Sequence, residues 1–266
     1  MTSSKNNHKP SPKILQRFKE LANDPLDLTY LVDGFLPDDS STLLVGDSGV
    51  GKSTFAAQLC AALQQGVDFL NMATLQTNCL YFQADVGVPI WREQIKRIAP
   101  ESEAWSLHSI PNGALDKPEY IEVITKVIDY TKPGFIVFDA LNSLTGKDIN
   151  GKAVMEIIYL MEHLAVDATG NAIPQLLIHH PSKDGRRGVN GAAGYHGISA
   201  AYDTYVSLGL QRLKIEKSRV VTNKILRLKK DNKGLWQLNT AYGESQHSNG
   251  DSAEALELDP LLHIPL

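Results

Sequence analysis

Apolar residues along this chain fall into two alternating rhythms. Thr42-Leu43-Leu44-Val45, Asn78-Cys79-Leu80-Tyr81-Phe82-Gln83, Phe135-Ile136-Val137-Phe138-Asp139 and Pro174-Gln175-Leu176-Leu177-Ile178-His179 are short unbroken runs, the form of strands buried on both faces. Between them lie stretches of helical spacing: Phe55 to Leu63, about Pro89 to Ile98, and Tyr120 to Tyr130. A further helix puts Val154, Ile157, Ile158, Met161, Leu164 and Ala165 on one face and is ended by Gly170. Strands alternating with helices predict parallel βαβ units, hence an α/β fold with a mostly parallel sheet and helices on both faces.

The flanks read differently. Residues 1 to 11 are polar, Ile14 to Ala22 has the spacing of a short amphipathic helix, and Tyr30 to Pro37 crosses to the first core strand through a Gly and Pro turn. Trp105 to Ile110 reads as a short strand. From Pro181 to Gly197 the chain is Gly-rich and basic, the pattern of a long mobile loop. Beyond it the helices stop, and Thr204 to Leu210, Val220 to Leu228 and Leu235 to Asn239 read as antiparallel strands. Gly243 to Glu257 is rich in Ser, Glu and Asp, a flexible composition. The expected division is a lead with a short helix over 1–29, one domain over 30–240 and an acidic tail over 241–266.

Composition narrows this picture little. At 266 residues the chain is long enough for one large α/β domain, and its net charge of −4 argues against a generally basic nucleic-acid coater. Cys60 and Cys79 fall inside apolar patterns and read as buried free thiols. With no apolar N-terminal region and no apolar run of about 18 residues, a cytoplasmic protein without a membrane segment is expected.

Chemistry concentrates at Gly46-Asp47-Ser48-Gly49-Val50-Gly51-Lys52-Ser53-Thr54. This fits G-x-x-x-x-G-K-[ST], the phosphate-binding loop, between a strand and a helix where the motif must sit. The glycines let successive N–H groups turn inward onto phosphates, Lys52 reaches the β/γ-phosphates, and the Ser53 hydroxyl suits Mg²⁺. The alternative is a Gly-rich structural turn. Asp139, ending a strand of four apolar residues, has the form of the carboxylate that holds Mg²⁺ through water, although Asp also ends strands for turn reasons. Ala140 follows it, so a catalytic base must come from elsewhere. Asp85 is the candidate, read as ending the strand beside the P-loop strand, with a helix cap as the other reading. Of His179 and His180, the first reads as a core histidine and the second as a reporter of the γ-phosphate. Phosphoryl transfer also profits from a cation supplied by a neighbouring subunit, and the basic stretch from Arg212 to Lys233 offers Arg227, Lys229 and Lys230; the other reading is a solvated charged face.

Together, Gly46 to Ser53, Leu80 to Asp85, Ile136 to Asp139 and above all His179-His180-Pro181-Ser182-Lys183 with the Gly-rich loop after it resemble the RecA-like ATPases, and within them the hexameric helicases of the plasmid RepA type. The resemblance spans about residues 30 to 240. It implies an ATP- and Mg²⁺-dependent hydrolase that forms a homo-oligomeric ring, in which Lys183, Arg186 and Arg187 on a loop reaching to Tyr195 touch single-stranded DNA. The family usually has Glu where this chain has Asp85, one methylene shorter. It also tends to place an Arg finger soon after the Gly-rich loop, where this chain has neither Lys nor Arg between Arg187 and Arg212. The alternative, of a different class, is a RecA-like nucleotide switch, KaiC-like in logic, that acts on a protein partner without DNA.

Overall fold

Four runs of five residues, every one buried, form the centre of the molecule: β3 (Ser41–Val45), β4 (Cys79–Gln83), β6 (Phe135–Asp139) and β7 (Gln175–His179). Strands that shed water on both faces need cover on both, and helices supply it. The computed structural model describes residues 18–23, 28–167, 169–181, 192, 196–221 and 224–240. Its other strands are β1 (Tyr30–Val32), β2 (Leu36–Pro37), β5 (Trp105–Leu107), β8 (Thr204–Leu208), β9 (Arg212–Ser218), β10 (Ile225–Lys230) and β11 (Trp236–Leu238). The helices are α1 (Phe18–Ala22), α2 (Lys52–Gln65), α3 (Val88–Ile98), α4 (Pro118–Thr131), α5 (Leu141–Leu144), α6 (Val154–Leu164) and α7 (Gly197–Ala201).

The main sheet runs β11-β10-β9-β8-β3-β7-β6-β4-β5. From β8 to β5 all pairings are parallel, and from β8 through β9 and β10 to β11 they are antiparallel. One face packs with α2 and α3 around Phe55, Leu59, Tyr81 and Trp91; the other packs with α4, α5, α6 and α7 around Phe82, Phe138, Ile158 and Tyr205. Full burial of a large apolar side chain is worth about 1.5–3 kcal/mol, so the two clusters fix which way each strand faces. Cys60 and Cys79 are buried free thiols.

Several expectations shift in detail. The helix thought to end at Gly170 stops at Leu164, because Ala165 leaves helical geometry; Gly170, at φ 86°, turns the loop bridged by Val166 and Ala172. After the Gly-rich stretch helix returns for five residues in α7. Val220 to Leu228 is not one strand: β9 lies at Arg212–Ser218, and the chain turns at Val220 and Val221 before β10. In β9 only Leu213 and Ile215 are buried, and the alternating cations hid that pattern. Strand β8 ends at Leu208, leaving Leu210 exposed in the turn. Of the expected N-terminal helix, Phe18–Ala22 is helical, and residues 14–17 lie outside the described residues, as does the acidic tail from 241.

Candidate nucleotide site

Parallel strands deliver their C-terminal ends to one rim, the usual place for a ligand in an open α/β sheet. From β3 the chain enters the loop Gly46 to Ser53. Gly49 at φ 76° and Gly51 at φ 107° take backbone shapes that side-chain-bearing residues avoid, and the tip from Asp47 to Gly49 is exposed. Gly51 opens α2 with no side-chain cap and no acid in the first turn, so the N–H groups of that turn are left for an anion. Lys52 is buried, its Nζ donating to the carbonyls of Gly46 at 2.6 Å and Asp47 at 3.0 Å. Burial pushes its pKa down, and the charges of Asp139, Asp85 and Asp47 oppose that.

Asp139 ends β6 almost fully buried, at 1% exposure, and the peptide bond to Ala140 is cis. Its carboxylate accepts hydrogen bonds from the Tyr81 hydroxyl at 2.6 Å and from Gln83 Nε2 at 3.3 Å, and it is hydrogen-bonded to the Ser53 side chain. Desolvation nevertheless pushes its pKa up to about 6, with Asp85 adding to the rise and Tyr81, Ser53 and Lys52 opposing it. Burial first, then the charge and hydrogen bond of Asp139, hold the Tyr81 phenol well above the ordinary range, against the Ser53 hydrogen bond.

Asp85 follows β4, and here the topology corrects the sequence reading. β4 is not beside the P-loop strand; β7 and β6 lie between them, and β4 adjoins the Asp139 strand, with Gln83 opposite Asp139. Sequence order carries no information about which strand is inserted between two others, so this was invisible from the residues. The Asp85 carboxylate accepts from Ser143 Oγ at 3.1 Å, and its charge is felt at Lys52, Asp139 and His180. No side-chain cap is made on α3, whose N-cap is Gly87. His179 is fully buried, whereas His180 is half-buried, its pKa pushed down by burial first and by Lys52 next, against the pull of Asp85. Lys52, Ser53, Asp85, Asp139 and His180 thus form one interacting group.

The remaining expected residues are not all brought there. Lys183, Arg186 and Arg187 lie outside the described residues, although Pro181 and Ala192 pair as a bridge, so the two ends of that stretch meet beside the rim. Arg227 and Lys229 are exposed on β10. Lys230 is committed to its own chain: Nζ donates to the Val50 carbonyl at 2.7 Å and sits 4.6 Å from the Trp236 ring. Trp236 adds a bond from Nε1 to the Gly51 carbonyl at 3.0 Å, so the β10–β11 hairpin backs the loop. Sequence reasoning missed Tyr81, Gln83, Ser143 and Trp236. The available signal was two polar residues, Tyr81 and Gln83, sharing one face of an otherwise apolar strand.

Hydroxyl and carboxylate oxygens at Ser53 and Asp139, beside a lysine and a helix N-terminus, suit a phosphate ester and a hard cation. Comparison with known proteins agrees. The family described as AAA domain matches residues 8–186. The DNA repair protein RadA of Listeria monocytogenes is 21% identical over 169 residues, 63% of this chain and 33% of RadA, so the chain spans about a third of that relative's length. A KaiC-like protein of Pyrococcus horikoshii OT3 shares the fold with a TM-score of 0.56 at 15% identity, over 80% of this chain and 99% of that one. The chain therefore belongs to the AAA domain family and is a P-loop ATPase of the RecA-like fold.

Proposed function

We propose that this ATPase works as a homo-oligomeric ring of the RepA helicase type and couples hydrolysis to movement along single-stranded DNA. The observation that carries the catalytic half is the cluster of Lys52, Ser53, Asp139, Asp85 and His180 on one rim. The P-loop amides and Lys52 hold the β- and γ-phosphates, and Lys52 must leave the Gly46 and Asp47 carbonyls to do so. Ser53 directly, and Asp139 through water, would hold Mg²⁺, which when bound offsets the charge of the transferring phosphoryl group. Asp85 accepts the proton of a water that attacks the γ-phosphorus as the bond to the β-phosphate oxygen breaks. His180, between Lys52 and Asp85 electrostatically, senses loss of the γ-phosphate and passes it to the stretch after Pro181. An exposed cation from a neighbouring copy, Arg227 or Lys229, completes the charge balance.

The DNA half rests on the cations Lys183, Arg186 and Arg187 after the His-His strand end, and a DNA-repair relative supports it. The test is ATP turnover by the purified protein with and without single-stranded DNA, with mass in solution measured alongside. Stimulation by DNA of a multi-subunit species, abolished when Lys183, Arg186 and Arg187 are all changed to Ala, is the expected result. Slow turnover indifferent to DNA would instead assign the protein to the switch class acting on a protein partner.

A further inference from the structure

Gln83 is 1% exposed at the end of β4, and both polar atoms of its side chain are hydrogen-bonded. Its Oε1 accepts the backbone N–H of Asp85 at 2.6 Å and of Val86 at 2.9 Å, and its Nε2 donates to Asp139 at 3.3 Å. The two backbone donors require the oxygen on their side, which leaves the nitrogen for the carboxylate. One buried amide therefore joins the strand end that carries Asp139 to the loop that carries Asp85. A second tie runs the same way, because Ser143, four residues after Asp139, donates its hydroxyl to the Asp85 carboxylate at 3.1 Å.

We propose that Gln83 is a positioning residue for hydrolysis: its amide holds the Asp85 backbone in register with Asp139, while Ser143 aims the Asp85 carboxylate. The inference rests on Asp85 as the residue that orients the attacking water. The amide carries its donor and its two-fold acceptor on separate atoms, so one side chain reaches the Asp139 carboxylate and the Asp85–Val86 backbone together. Asn would fall a methylene short of contacts that have no slack, and Glu would set a second carboxylate against Asp139. A carboxylate on a short Asp stem has little reach of its own, so its backbone must be placed for it. Misplacing a reacting group by about 1 Å is enough to cost about 100-fold in rate.

The test is a double-mutant cycle between Gln83→Met and Asp85→Asn, each protein assayed for kcat, KM and affinity for methylanthraniloyl-ADP. Gln83→Met is expected to lower kcat by about 10- to 100-fold with ADP affinity within about twofold of wild type, and to have no further effect once Asp85 is Asn. Amide hydrogen exchange without nucleotide supplies a reading independent of turnover: the N–H groups of Asp85 and Val86 should exchange faster in Gln83→Met, with the rest of β4 unchanged. Wild-type turnover of Gln83→Met, or an undiminished effect in the Asp85→Asn background, overturns the inference, as does unchanged exchange at Asp85 and Val86. If Asp85→Asn alone turns over at the wild-type rate, the base assignment itself has failed and takes the inference with it, and that single variant tells the two failures apart.

Discussion

Asp139 shows what the site costs the fold. Its carboxyl, ordinarily near 3.8, titrates near 6 because burial outweighs the hydrogen bonds that favour its charge. A folded value above the unfolded one means that the native state binds the proton more tightly. Ionised Asp139 therefore burdens the nucleotide-free protein above about pH 6 by about 3 kcal/mol, and the burden fades as pH falls from about 6 towards 3.8. Denaturant melts of Asp139→Asn should accordingly show a gain of about 1–3 kcal/mol at pH 7.5 that shrinks to about 0.5 kcal/mol by pH 4. A gain independent of pH would mean that the Tyr81, Gln83 and Ser53 contacts fully offset the burial. Sequence identified Asp139 from its place after four apolar residues, but the partners that hold it charged come from β4, fifty residues and more away in the chain.

Among the elements, the loop between β3 and α2 is gripped from two sides, and its glycines do different work. A Cβ on Gly46 would stand 2.5 Å from the Leu208 carbonyl and 3.1 Å from Val50 Cγ1, so β3 and β8 would have to part. A Cβ on Gly49 meets nothing within 4 Å and is opposed only by the positive φ. Gly46→Ala should thus lower global stability by about 3 kcal/mol or enough to prevent soluble expression, whereas Gly49→Ala should lower it by only about 1 kcal/mol, the cost of its positive φ, and weaken nucleotide binding. Equal losses of stability in the two would argue against the close approach of β8. The loop motif was legible because its spacing is local. The hairpin behind it was not, since Lys230 and Trp236 reach Val50 and Gly51 from 180 and 185 residues further along the chain.

At the scale of the molecule, the antiparallel strands present cations that make no ion pair among the described residues. Arg227 lies directly across from Arg212, and neither is in an ion pair among the described residues, an arrangement that repels unless something else supplies negative charge. In the ring proposed above, a nucleotide bound to a neighbouring copy would be that source. Lys52→Ala, which loses its own nucleotide, and Arg227→Ala, which keeps it, should each turn over at least about 10³-fold more slowly than wild type, and mixing them should recover activity that neither has alone. Absence of recovery on mixing, with both variants assembled, would remove Arg227 from the trans role. Among the described residues no helix is long and apolar enough to cross a membrane.

By itself, the amino-acid order determined what depends on near neighbours. The βαβ rhythm, the phosphate-binding loop, the buried thiols and the Asp ending β6 all follow from spacing within a few residues, where side-chain periodicity and backbone freedom act directly. Tertiary structure alone decided which strand inserts between which, and therefore that β4 adjoins β6 and not β3. It also decided that a tyrosine and a glutamine of β4 hold Asp139, and that a lysine near the end of the domain turns back onto its own loop. Those contacts join residues far apart in the chain, and whether they form depends on how two helical layers close over one sheet, which no single stretch of sequence encodes.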